Sequence, residues 1–335
     1  MTDYQQFRNR CRIPLAGVVL FAAIGGASEF PTDRRPKANQ EPQRLGTSID
    51  STTIDQQRLR QSSDSISRWY EVDLSGTNIS YEGAIIFRTL KNVGCLRLGD
   101  TPTDDRVLTH LSSLPKIFYL QIGRTKITND GLKHISGLAS LNGLAIHGTA
   151  ITDDGLKHLA PLSNLHSLMA DDTRIAGPGV KHLSHLRSLS LCRTNVDDAG
   201  LKHLGEITSL KYVYLNKTKI RGDGLRHFAS LTNLEQLRLN ETVISDDALR
   251  HLGKVTNLKR LTLDGTRVTD DGLPHLQPLK NLEWLFLRNT KITDDGLRHL
   301  HAMPSLRLVI LDNAPVTDAG VKRLQDALPR VEIRR

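Results

Sequence analysis

The stretch LKRLTLDGTRVTDDGLPHLQPL, residues 258–279, carries two different periods of apolar residues. At its start Leu261 and Leu263 alternate with polar residues, a period of two that is typical of a strand with one buried face. Thr269 then precedes the acidic pair Asp270–Asp271, which is the pattern of a helix N-terminus, and leucines follow every three residues. The stretch therefore predicts one strand followed by one helical segment.

The same unit recurs along the chain every 24 residues, with one shorter step of 21. Leu-x-x-Leu-x-Leu at a fixed period of 20–29 residues is the signature of leucine-rich repeats. Stacking about eleven such units predicts an α/β solenoid, or horseshoe, with a parallel sheet on its concave face and helices on its convex face. One more strand, around Leu328–Ile333, is expected to cap the core at the C-terminal end. A threonine marks the units, at Thr77, Thr101, Thr125, Thr149, Thr173, Thr194, Thr218, Thr242, Thr266 and Thr290, with Ala314 in the next slot.

The N-terminal part of the chain has a different composition. A basic stretch, Arg8–Arg12, precedes the apolar run Ile13–Ala27, which is shorter than the about 20 residues of a membrane span. We therefore predict a signal peptide or short anchor at 1–27 and an exported chain (periplasmic, secreted or cell-surface), in contact with a membrane only if this segment is retained. Residues 28–65 are rich in Pro, Gln, Ser and charge, which predicts a disordered linker, and 66–335 form the predicted solenoid.

The block Thr-x-Ile-Thr-Asp-x-Gly-Leu, as at residues 149–156, resembles the cysteine-containing leucine-rich subtype of F-box adaptor proteins. It also resembles long leucine-rich proteins of environmental bacteria, in which Thr stands at the Asn or Cys position. The resemblance covers residues 69–335 and implies a fold and a binding role, with no catalytic residue. Likeness to F-box adaptors gives one alternative, a cytoplasmic adaptor in a degradation or signalling complex, against which the export-like N-terminus argues.

Several residue patterns suggest chemistry, and each has a structural explanation. The three cysteines are too few for a disulfide framework, and the acidic pairs suit helix starts better than a calcium cage. No phosphate-binding loop or nucleophile motif is present, so we predict no enzyme activity, no cofactor, no metal site and no small-molecule substrate. A ladder of histidines is predicted to be half-buried on the helical side: His110, His134, His158, His182, His203, His227, His251, His275 and His299.

The residues that flank the buried leucines of each strand are expected to point to the concave surface. In the early and middle units these residues are mostly small or polar, whereas four late units carry aromatic residues and arginines. Tyr, Trp and Arg dominate protein interfaces because they bury a large area and retain a polar group. We call these residues the late concave surface and predict that it binds a protein partner: Tyr212, Tyr214, Arg238, Arg260, Trp284, Phe286 and Arg288.

Two other interpretations of the late concave surface remain open at this stage. Its large side chains could cover one another as a local core, in which case they stabilise the fold and bind nothing. Its arginines and aromatic rings could instead bind nucleic acid or another polyanion. The formal net charge of +9 is spread along the chain without a basic stripe, and Asp171, Asp264 and Asp312 lie on or beside the same strands, which argues against a polyanion.

Overall fold

In the computed structural model, residues 70–90 and 92–335 are described, together with two short strands, Ser48–Ile49 and Leu59–Gln61. A 13-stranded sheet runs through the molecule, and its strands follow one another in chain order from the C-terminal edge inward. The described strands are β1 Ser48–Ile49, β2 Leu59–Gln61, β3 Tyr70–Asp73, β4 Asn78–Ile79, β5 Val93–Arg97, β6 Tyr119–Gln121, β7 Gly143–Ala145, β8 Ser167–Met169, β9 Ser188–Ser190, β10 Tyr212–Tyr214, β11 Gln236–Arg238, β12 Arg260–Thr262, β13 Trp284–Phe286, β14 Leu308–Ile310 and β15 Glu332–Arg334.

The register of the sheet aligns equivalent residues of successive repeats. Leu237 on β11 lies opposite Leu261 on β12, and Leu261 lies opposite Leu285 on β13. All three leucines are fully buried, because alternation places them on the face of the sheet that is covered by the helical segments. The predicted parallel sheet with one leucine-lined core is confirmed for β3 and for β5 through β15.

The helical segments are short, and many of them are 3₁₀-helices. Leucines spaced by three lie on one face of a helix with three residues per turn, which is the geometry of a 3₁₀-helix. The α-helices are Asp105–Leu108, Asp153–Leu156, Asp198–Gly205, Asp246–Leu252, Asp294–Leu297 and Asp318–Ala327. The 3₁₀-helices are Gly83–Thr89, Leu111–Ser113, Gly131–Ile135, Lys157–Leu159, Pro178–His182, Asp223–Ser230, Asp270–Leu276 and Arg298–Ala302.

The two ends of the sheet differ. At the C-terminal edge β15 pairs in parallel with β14, in the place predicted for a capping strand. At the other edge β2 pairs antiparallel with β3, and β1 pairs with β4 outside the main sheet. Both β1 and β2 fall within residues 28–65, for which we predicted a disordered linker; the open edge of a sheet offers unpaired backbone groups that such segments can satisfy. The rest of that linker and the predicted signal peptide at 1–27 lie outside the described residues.

The short 21-residue step does not disturb the sheet. Leu168 on β8 and Leu189 on β9 are directly opposite each other, as in the 24-residue repeats. The shortening of this repeat is therefore confined to the convex side, where Leu183 and Leu186 come shortly before β9.

Candidate functional site

The turn that follows a strand is fixed by the repeat threonine in all the units that have one, while Ala314 takes its place after β14. The threonine hydroxyl donates a hydrogen bond to the carbonyl oxygen three residues earlier, as from Thr242 to Leu239 and from Thr266 to Leu263, both at 2.6 Å. The residue before the threonine has a positive φ, for example 56° at Glu241, which turns the chain sharply away from the sheet. This turn recurs at every repeat, so the last strand residues always face the concave surface.

A second set of hydrogen bonds joins most of the helical segments to the next repeat. The first aspartate of the acidic pair accepts hydrogen bonds from the following repeat's turn: Asp246 accepts from the Thr269 backbone N–H at 2.8 Å and from its hydroxyl at 2.7 Å. Asp294 does the same with Thr317, at 2.8 and 2.6 Å. Both acids of these pairs lie in the first turn of their own helical segment, as predicted, and the first of each pair also bonds to the next repeat.

A third set of hydrogen bonds runs along the rim of the late repeats, at the residue that lies two positions after the end of each strand. The side-chain oxygen of Asn216 accepts the backbone N–H of Asn240 at 2.9 Å, and the side chain of Asn240 accepts that of Asp264 at 3.0 Å. Asp264 in turn accepts the N–H of Arg288 at 2.8 Å, and the Arg288 guanidinium donates to Asp312 at 2.7 Å. Arg288 is thereby anchored at the rim by an aspartate on either side.

The structure brings the seven predicted site residues together on four adjacent strands. Tyr212 and Tyr214 lie on β10, Arg238 on β11, Arg260 on β12, and Trp284 and Phe286 on β13, with Arg288 just beyond β13. All seven side chains are half-buried. Half-burial leaves part of each side chain accessible at the concave surface.

Each arginine of the late concave surface lies over an aromatic ring. The guanidinium carbon of Arg260 is 4.1 Å from the centre of the Trp284 ring on the neighbouring strand. Arg238 lies over Tyr214 at 5.2 Å, and Arg288 lies over Phe286 at 5.7 Å. Such cation–π contacts hold the long arginine side chains in defined positions at the sheet surface.

At the centre of the late concave surface some polar groups form hydrogen bonds and others have no partner. With its amide oxygen facing Arg238, Gln236 accepts from Nε and Nη2 of that arginine at 2.9 and 3.0 Å. In the described part of the chain, the buried Nε of Arg260 and the buried hydroxyl of Thr262 have no hydrogen-bond partner. Buried polar atoms are almost always satisfied in folded proteins, so two exceptions in one place distinguish this strand from its neighbours.

Burial also alters the ionisation of the charged groups here. Desolvation lowers the pKa of Arg238 to about 10, and the nearby Arg260 charge acts in the same direction. Desolvation likewise lowers the pKa of Arg260. It raises the pKa of Asp264, although the N–H and guanidinium of Arg288 oppose this effect. The arginines stay charged at neutral pH, so they present poorly solvated positive charge at the concave surface.

The early repeats contain an aromatic cluster that the sequence analysis did not identify as one. Tyr119 is only 4% exposed and packs with buried Cys95, and the half-buried Phe118 and Met169 lie against them. Arg97, 6% exposed, forms an ion pair with Glu71 at 3.0 Å and lies 5.9 Å from the centre of the Tyr119 ring. Gly143 lies beside Tyr119 on the next strand and has no side chain. This small neighbour is the sequence signal that there is space for the Tyr119 ring.

The described cysteines and the histidine ladder are placed by the repeating fold. Cys95 and Cys192 are buried free thiols, and desolvation raises the pKa of Cys192 to about 11. Of the histidine ladder, His110 is buried, His134 and His182 are exposed, and the remaining members are half-buried. Among the described residues no three His, Cys, Asp or Glu side chains are grouped so that they could hold a metal ion.

Comparisons with known proteins identify relatives of the fold only. No family model matches the chain, and no curated protein matches it. An internalin of Listeria monocytogenes is 21% identical, with a TM-score of 0.56 over 79% of this chain and 86% of that one. A leucine-rich-repeat protein of Leptospira interrogans is 22% identical, with a TM-score of 0.60 over 77% of this chain and 63% of that one. A TDR receptor is 18% identical, with a TM-score of 0.50 over 69% of this chain and 41% of that one.

These similarities agree with the leucine-rich-repeat architecture described above. At such identities they concern the fold, and this chain spans less than two thirds of the Leptospira protein and of the receptor. Within the described residues, no helix has the length and apolar character that crossing a membrane requires.

Proposed function

We propose that this leucine-rich-repeat solenoid is a non-enzymatic scaffold that binds a protein partner through its late concave surface. The observation that carries the proposal is the concentration of three arginines and four aromatic residues on four adjacent strands, each side chain half-buried and each arginine beside a ring. On β7 and β9 of the same face the equivalent positions hold the small residues Gly143, Ala145, Ser188 and Ser190.

Physical chemistry supports a binding role for such a surface. An aromatic ring that is already held in place loses little conformational freedom when a partner covers it, and a stacked arginine is ordered in the same way. Residues of these types carry most of the energy in many interfaces. A repeating core requires none of them at these positions, since Ser188 and Ser190 serve equally well on β9.

We further propose that the chain works outside the cytoplasm, on the basis of the predicted signal peptide at 1–27. N-terminal sequencing of the native protein tests this: a mature start near Ser28 is expected. Recovery of Met1 on a soluble chain would instead favour the intracellular adaptor of F-box-like type.

The binding proposal is tested by affinity capture with the full chain and with two matched double variants. Trp284→Ala/Tyr214→Ala removes two rings of the late concave surface, and partners captured by the native chain should be lost. Ser188→Ala/Ser190→Ala changes the same strand positions on β9 and should keep them. Equal capture by both variants would refute a binding site at the late concave surface.

A further inference from the structure

We infer that the late concave surface receives a carboxylate side chain from an acidic segment of the partner, at Arg260. This inference rests on the proposed protein-binding function and names the chemistry of the partner. Its starting point is that Arg260 forms no ion pair with any residue that the structure describes, and that its Nε has no hydrogen-bond partner. The Arg260 guanidinium nevertheless lies over Trp284 and is held there.

The carboxylates near Arg260 are engaged with other cations. Glu235 contacts Lys211 at 3.0 Å and Lys259 at 3.4 Å, and Glu283 contacts Arg307 at 3.7 Å. On the rim, Asp312 pairs with Arg288, and Asp264 accepts the N–H of that same residue. Glu283 acts on the charge of Arg260 without pairing with it, so among the described residues Arg260 has no ion-pair partner, and a carboxylate from outside the chain can supply one.

The position of Arg260 suits a carboxylate. A guanidinium stacked on a ring keeps its N–H groups in its own plane, where they can bind the two oxygens of one carboxylate. The ring of Trp284 on the neighbouring strand β13, and that of Tyr214 two strands away on β10, provide apolar contact area for residues close to the acid.

A single carboxylate fits better than a polyanion. Arg288 is already paired with Asp312, and the half-buried Asp264 places negative charge beside the arginines. A nucleic-acid backbone presents a row of phosphates and needs a row of cations to meet it. One arginine without an ion pair, stacked on the Trp284 ring, matches an acidic residue with apolar neighbours in a protein segment.

The inference is tested with defined probes and the full chain. A peptide with one glutamate between apolar residues (the glutamate peptide), the same peptide with lysine in its place (the lysine peptide) and a single-stranded DNA oligonucleotide are titrated while the fluorescence of Trp284 is followed in a Trp69→Phe background. The glutamate peptide is expected to bind and the lysine peptide is not. Arg260→Gln should weaken glutamate-peptide binding at least tenfold. Arg226→Gln, the same change at an exposed convex arginine, should alter it less than twofold.

The outcomes separate this inference from the function on which it rests. No binding of the glutamate peptide, or equal binding by the two glutamine variants, would overturn the carboxylate site. Tighter binding of the oligonucleotide with the same dependence on Arg260 would replace it with a phosphate site. If native partners are still captured by the Arg260→Gln chain but lost by Trp284→Ala/Tyr214→Ala, the scaffold function stands and the carboxylate inference fails.

Discussion

The threonine hydroxyl has opposite roles at two positions of the same fold, and valine substitution tells them apart. Thr242 is buried and donates to the Leu239 carbonyl, so Thr242→Val should lower the free energy of unfolding by about 1–2 kcal/mol. Thr262 is 1% exposed and its hydroxyl has no partner, so Thr262→Val should be neutral or stabilising. Urea denaturation of the two variants measures both effects. Equal losses of stability would contradict the hydrogen bonding described here.

Two aromatic residues at equivalent strand positions are expected to differ in what they stabilise. Tyr119 is 4% exposed within a packed cluster, so Tyr119→Ala should cost about 3 kcal/mol of stability. Trp284 is half-buried, so Trp284→Ala should cost about 1 kcal/mol and should weaken partner binding by about 2 kcal/mol or more. Thermal unfolding and affinity are measured on each variant. If Trp284→Ala loses as much stability as Tyr119→Ala and keeps its affinity, the late rings form a local core.

At the scale of the element, the acidic pair offers a comparison within one helical segment. Asp270 and Asp271 both lie in its first turn, so an effect of the helix dipole alone would be similar for the two. Only Asp270 accepts hydrogen bonds from Thr293 of the next repeat, at 2.8 and 2.5 Å. We therefore expect Asp270→Ala to lower stability by about 1–2 kcal/mol and Asp271→Ala by a few tenths. Similar melting temperatures for the two variants would favour the dipole explanation.

The strands were predictable because their signal is local. Buried leucines alternate along each strand and just beyond its end, as Leu237 and Leu239 do at β11, and the fixed period then aligns neighbouring strands. The role of Asp270 was not predictable in this way, since its partner Thr293 lies on the next repeat and has its own plausible local role as a helix cap. Likewise, the mixture of α- and 3₁₀-helix depends on how each segment fits its neighbours.

The composition of the late concave surface was predictable, whereas the burial of its residues was not. Period-two alternation places Tyr119 and Tyr212 at equivalent positions, yet one is buried and the other half-buried. The difference comes from neighbours on adjacent strands: Tyr119 lies beside Gly143, and Tyr212 lies beside Gln236. The burial of a side chain on the concave face thus depends on residues from several repeats.

For the whole molecule, we expect stability to fall as the pH drops below neutrality. Desolvation lowers the pKa of His110, His147, His158 and His251 in the folded chain. Between their folded values and the ordinary value of about 6.5, the unfolded chain binds more protons. The contribution of these neutral histidines to the free energy of unfolding is therefore fully present above about pH 6.5. It is lost as the pH falls through their lowered folded-state pKa values.

His110 is the buried histidine of this group, and its substitution tests the predicted pH dependence. His110 is 3% exposed and its Nδ1 accepts a hydrogen bond from Arg88 at 3.0 Å, which requires the neutral ring. Urea unfolding at pH 7.5 and at pH 5.5 should show a smaller loss of stability for His110→Asn than for the native chain. An identical pH dependence in the two proteins would exclude His110 as a contributor.

The aspartate that reaches from one repeat to the next gives the solenoid a direction. The acceptor, such as Asp246, always belongs to the repeat that comes earlier in the chain, and the donor, Thr269, to the later one. During translation the earlier repeat leaves the ribosome first, so wherever this aspartate is present the emerging turn meets a carboxylate that is already in place. Because repeats of this kind contact only their neighbours, each can add to the one before it without waiting for the rest of the chain. The order of synthesis is thus also an order in which the nascent protein can be assembled.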